Sequence, residues 1–126
     1  MQIVSVNTAA ARATRINGRE VMTAIGKQPH SGPVACGPMG LEGDEQADLS
    51  VHGGLSKAVY AYPAEHLAFW RTVRAQARAS GWDDEVPPGA VGENLTVTGI
   101  TERSLWIGDR LCLAGGVVLA VSEPRF

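Results

Sequence analysis

At 126 residues the chain has the length of one domain, enough to bury roughly two-thirds of its unfolded surface. Its composition, 44% apolar and 19% charged with a net charge of −2, is that of a globular protein: no basic excess favours nucleic acid, and no apolar run approaches the ~20 residues of a membrane span. The opening MQIVSVNTAA lacks the basic start and continuous apolar stretch of a secretory signal, so a cytoplasmic location with Cys36 and Cys112 reduced is expected.

Residues 3–6 read as a first strand. Residues 13–25 hold Asn17-Gly18 between two short alternating runs, and that pair suits a two-residue hairpin turn because both central positions need φ > 0. Residues 26–50 are polar and rich in Gly and Pro; connections longer than ~15 residues are often functional. Residues 57–62 (KAVYAY) form the next expected strand. Pro63 then opens the one convincing helix, expected to run to about Ser80 with Gly81 as its C-cap. Leu67, Trp70, Val73 and Ala77 recur at helical spacing, which places Trp70 in the core. Arg71, Arg74 and Arg78 are most simply a solvated face.

Residues 83–92 read as a loop. Residues 94–97, 104–107, 110–113 and 117–122 are expected short strands, punctuated by Gly99, Gly108-Asp109 and Gly115-Gly116. The fold class is therefore mainly β with one principal helix. A mostly antiparallel barrel is expected, because closure removes open sheet edges.

Candidate chemistry concentrates in residues 40–54, which carry Glu42, Asp44, Glu45, Asp48 and His52, then Gly53-Gly54, with Lys57 just beyond. Glycines let backbone N–H groups approach a ligand, and Lys57 is able to meet a phosphate. On composition alone such a loop is most often a solvated connector, and it matches neither a Walker loop nor a dinucleotide fingerprint. Asp44, Asp48 and His52 bear metal-binding groups, but their spacing in an irregular loop does not make them converge, so no dedicated metal site is expected. His30 and His66 add nothing specific, and no cysteine has a partner at zinc spacing. Ser104 and Ser122 lack a nucleophile elbow, and the acidic residues do not define a glycosidase pair. Cys112, between Leu111 and Leu113, reads as a small buried residue.

In chain order, the blocks G-L-E-G-D (40–44), H-G-G (52–54) followed by Lys57-Ala58-Val59, Y-P-x-x-H (62–66) with Trp70, G-E-N-L-T (92–96), I-G-D (107–109) and P-R (124–125) resemble the MOSC domain, in the arrangement of its YiiM-like branch. The resemblance covers most of the chain, from about residue 40 to 126. It implies a compact strand-rich barrel that carries the molybdenum cofactor, a molybdopterin whose dithiolene holds the metal. It also implies reduction of small N-hydroxylated substrates, with electrons supplied by a donor protein.

Carried over residue by residue, Arg125 would pair with pterin or phosphate oxygens through its planar fork. His52 and Lys57 would line the cofactor pocket, and Asn94 would bond the polar pterin edge. Glu93 would do likewise or serve a structural turn, and Asp44 and Asp48 would face the substrate and relay protons. These groups are expected on one cleft with residues 40–54 forming part of its wall. In the family a cysteine that binds molybdenum follows the Pro-Arg pair after two further residues. Here the sequence ends one residue after the pair. The expectation is thus a single MOSC-like domain, residues 1–126, incomplete at its C-terminus, without protein-ligated molybdenum and without turnover on its own. Cys112 does not occupy the motif position. The alternatives are a non-catalytic pterin-binding or sulfur-carrier module, and a structural barrel that has lost its cofactor.

Overall fold

The computed structural model describes residues 1–24, 26–45 and 54–124. Strand β1 (Gln2–Thr8) lies between β8 (Leu95–Thr98) and β4 (Gln28–Pro29), antiparallel to both, and β7 (Ala61–Pro63) pairs parallel with the far side of β8. The β1–β8 register shifts between Ile3 and Ser5, which is the mark of a bulge that redirects a strand. Three two-stranded ribbons accompany this sheet: β2 (Arg12–Ile16) with β3 (Arg19–Thr23), β5 (Cys36–Gly37) with β6 (Gly40–Leu41), and β9 (Arg110–Cys112) with β10 (Val118–Ala120). The fold is mainly β with one α-helix, as expected. Among the described residues the strands do not close into a barrel, and the β7–β8 pair departs from an antiparallel plan.

Strand β8 is central because it is apolar and β-branched, with Leu95 and Val97 both buried and Thr96 fully enclosed. The buried apolar set is small: Leu41, Ala75, Val86, Leu95 and Val97. Asn7, Thr8, Lys27, Glu93, Asn94 and Thr96 are buried beside it. Polar groups withdrawn from water need hydrogen-bond partners, so much of this interior is a hydrogen-bonded network.

Asn17 (φ 51°) and Gly18 (φ 77°) make the expected hairpin turn between β2 and β3. The helix is shorter than its sequence suggests. A 3-10 turn at Ala64–His66 leads into α1 (Leu67–Gln76). The chain then leaves the helix at Arg78, which adopts a left-handed φ of 57°. Ala79 N–H donates to the Arg74 carbonyl at 2.9 Å and Arg78 N–H to that of Ala75 at 3.0 Å, the bond pair of a Schellman stop. Gly81 is not the cap; its N–H is held by Asp84 at 2.7 Å.

Trp70 is not a core residue. Of the helix only Ala75 is buried, and the Trp70 indole N–H donates to the Tyr62 hydroxyl at 2.6 Å on an exposed face. The expected strand over 104–107 is absent. Thr101 and Ser104 instead close a capping box on a 3-10 turn at Glu102–Ser104, and the Trp106 N–H is taken by Asp109 at 2.9 Å. Residues 57–62 are extended only at Ala61–Pro63, because Leu55–Lys57 closes a 3-10 turn. Cys112 is exposed, since alternation along β9 turns Leu111 inward.

Candidate functional site

The β5–β6 ribbon delivers the chain to Asp44. Glu42 N–H donates to the Ala35 carbonyl at 2.8 Å, and Asp44 N–H to that of Leu41 at 3.1 Å. The Asp44 carboxylate then collects donors from three distant segments. Lys27 Nζ lies 2.6 Å and Ala9 N 2.9 Å from Oδ1, while Asn94 Nδ2 lies 2.9 Å from Oδ2. Side-chain exposure is 7% for Lys27 and 1% for Asp44. This is a buried, fully bonded ion pair, and such a carboxylate has no free oxygen to offer a solvent-borne substrate. Asp44, expected on the substrate side, is thus an internal anchor in this structure.

Asn94 is equally committed. Its Oδ1 accepts the Tyr60 N–H at 3.0 Å, and its amide also donates to the Asn7 carbonyl at 3.2 Å. Glu93 is fully enclosed. It accepts the N–H groups of Gly89 (2.7 Å) and Val91 (3.2 Å) and the Thr96 hydroxyl (2.8 Å). Asn7 completes the cluster by donating to the Glu93 carbonyl and to Thr96 Oγ1. The structure brings Asp44, Glu93 and Asn94 together, but as interior scaffold rather than as a cleft wall.

Lys57 sits elsewhere, at the end of the Leu55–Lys57 turn. Its side chain is 44% exposed, and its ammonium lies 3.3 Å from Glu123. The neighbouring Ser56 carbonyl accepts the Ser122 hydroxyl at 2.5 Å. The turn that follows the H-G-G block is therefore stitched to the segment that leads into the P-R block. His52, Asp48 and Arg125 lie outside the described residues. Among the described residues no cluster of His, Cys, Asp and Glu is arranged to hold a metal.

The two carboxyls with lowered pKa lie away from this region. Glu65 is lowered chiefly by the Gly99 N–H, and Glu102 chiefly by its hydrogen bond with His66 at 2.9 Å. Sequence reading did not single out Lys27 or Asn7. The available signal for Asn7 was a polar residue on the inward face of an apolar strand. For Lys27, a lone lysine after a glycine, spacing held none.

A molybdenum cofactor is anionic and carries an amide-like pterin edge, so it needs cations and unspent polar groups. Lys57 is cationic and half in solvent, and would hold such a group in exchange for its present pairing with Glu123. Glu93 and Asn94 do not, because their side-chain atoms are bonded internally and closed to solvent.

A mainly β domain with a polar-stitched interior, and with its Leu55–Lys57 turn tied to Ser122 and Glu123, is the class that fold and site define. The chain belongs to the MOSC domain family, which it matches over residues 48–126. It is 42% identical over 118 residues to a protein named "Reductase" from Gibberella moniliformis, covering 90% of this chain and 20% of that protein. It is 40% identical over 104 residues to the protein YiiM of Escherichia coli, covering 82% of this chain and 43% of YiiM. The crystal structure of YiiM from Geobacillus stearothermophilus superposes with a TM-score of 0.65 at 34% identity, over 98% of this chain and 51% of that one. The chain thus spans about half or less of each of these relatives. No described helix is long and apolar enough to cross a membrane.

Proposed function

We propose that this chain is the cofactor-holding portion of a cytoplasmic molybdenum-cofactor oxidoreductase, whose full-length form reduces small N-hydroxylated compounds. The contact of the Leu55–Lys57 turn with Ser122 and Glu123 supports this reading, because it brings Lys57 beside the segment that leads into the P-R block. The name "Reductase" borne by one relative agrees with it.

In this reading Lys57, with His52 and Arg125, holds the anionic parts of the cofactor, and Asp48 faces the substrate. Glu93, Asn94 and Asp44 keep the surrounding loops in place. When bound, the cofactor supplies a centre able to accept the substrate's oxygen in a two-electron step. The N–O bond of the hydroxylated amine breaks, and two electrons and two protons convert it to the parent amine and water. The electrons are delivered by a donor protein.

One observation favours the second reading, a non-catalytic pterin-binding or sulfur-carrier module: Asp44, a candidate proton relay, has both oxygens occupied by buried donors. Molybdenum and pterin content of the full-length form, measured together with its hydroxylamine reduction by a reduced viologen, separates the two readings. Pterin with turnover supports the reductase. Pterin without turnover supports the binding module. Absence of both metal and pterin from protein made in cofactor-producing cells contradicts both.

A further inference from the structure

We propose that Lys27 is a positioning residue: acting through Asp44, it fixes the loop root formed by Ala9, Asp44 and Glu45, from which the sequence continues to the H-G-G block, and it touches no ligand itself. The consequence for cofactor retention rests on the reading above; the effect on the loop root is tested without any cofactor.

Lys27 is nine-tenths buried, and its ammonium lies 2.6 Å from Asp44 Oδ1. The same oxygen holds the Ala9 N–H, and the Ala9 carbonyl accepts the N–H of Glu45, the next residue out, at 2.9 Å. Both sides of Ala9 are thus clamped to the loop root. The other carboxylate oxygen reaches Asn94. The lysine's own backbone closes the circuit. Gly89 lies so near that a Cβ there would stand 2.4 Å from the Lys27 carbonyl oxygen, and the Gly89 N–H is bonded to Glu93.

One residue therefore links the 89–94 turn through its main chain to the loop root through its side chain. Without the ammonium, Asp44 would be a buried carboxylate with two neutral donors. Such a group draws in water or swings out, because an uncompensated buried charge is costly. Ala9 and Glu45 would go with it.

Amide hydrogen exchange on the cofactor-free full chain tests this. In Lys27→Met, exchange at the Ala9 and Glu45 amides should rise about ten- to hundred-fold, the cost of weakening hydrogen bonds to a charged group. The Leu113 and Val121 amides, bonded within and beside the β9–β10 ribbon, should not change. Lys27→Arg, which keeps the charge, should restore protection. If Lys27→Met does not fold, Lys27→Gln, which keeps a donor without charge, should show the same localised pattern. Unchanged Ala9 and Glu45 exchange overturns the proposal, as does equal acceleration at all four amides, which signifies a purely global role. Pterin content of the same variants should fall with Lys57 intact. A wild-type chain without pterin would count against the cofactor reading alone, since the exchange result decides the role of Lys27.

Discussion

Asn7 and Asn94 hold each other from both sides. The Asn7 N–H donates to the Asn94 carbonyl at 2.7 Å, and the Asn94 side-chain amide donates back to the Asn7 carbonyl at 3.2 Å. This links the end of the first strand to the turn before β8, and through Asn94 Nδ2 to Asp44.

Asn94→Ala removes the partners of Tyr60 N–H, Asp44 and the Asn7 carbonyl in a buried place. Buried groups left unsatisfied cost about 1–3 kcal/mol each. A loss of about 3 kcal/mol or more is expected in urea unfolding, and a loss below about 1 kcal/mol would contradict the network's importance.

Gly89 has φ +86°, and a Cβ there would meet the Lys27 carbonyl oxygen at 2.4 Å. Gly108 has φ +95° with nothing within 4 Å. Left-handed backbone costs about 1–2 kcal/mol for a residue with Cβ. Gly108→Ala should lose about that much. Gly89→Ala should lose clearly more, because main-chain atoms must move as well. Equal midpoints for the two variants in denaturant would show that the close approach is unimportant.

Arg78 occupies the left-handed position that ends α1. Glycine takes this position without strain. Arg78→Gly should therefore raise stability by about 0.5–1 kcal/mol, read as a higher thermal midpoint. A destabilised variant would mean that the arginine side chain contributes more than its backbone strain costs.

Glu65 and Glu102 both titrate lower in the folded chain, through the Gly99 N–H and through His66 respectively. A depressed folded pKa gives stability that is present above the ordinary value of ~4.3 and is lost as pH falls through the folded value. The double variant Glu65→Gln/Glu102→Gln should flatten the fall of the thermal midpoint below about pH 5, with a small effect at neutral pH because both groups are exposed. An unaltered acid slope would refute the assignment.

The sequence was most legible where local chemistry decides the structure. Asn17-Gly18 dictates its turn, and the β-branched run 95–98 dictates the central strand. The motif blocks identify the family without any geometry. The helix ends before its periodicity predicts because Arg78 adopts a conformation that favours glycine, and no local rule points to an arginine there. Trp70 reads as core by periodicity, yet little of the described structure packs on that face. The roles of Glu93, Asn94 and Asp44 were hidden for a different reason. Their partners, Asn7, Lys27 and Ala9, are remote in sequence, and only the folded chain shows that these polar atoms are already spent.

The central claim is that the Lys57 turn, stitched to Ser122 and Glu123, receives the phosphate-bearing end of a pterin. Its most direct measurement is a fluorescence titration of the full chain with a pterin carrying a side-chain phosphate, on wild type, Lys57→Glu and Glu123→Gln. Lys57→Glu should weaken binding by about ten-fold or more, the scale of one lost charge-assisted bond. Glu123→Gln should bind at least as tightly as wild type, because it removes the carboxylate that now competes for the ammonium, and the unphosphorylated pterin should bind more weakly to both. Equal affinity of wild type and Lys57→Glu for the phosphorylated pterin would contradict the account.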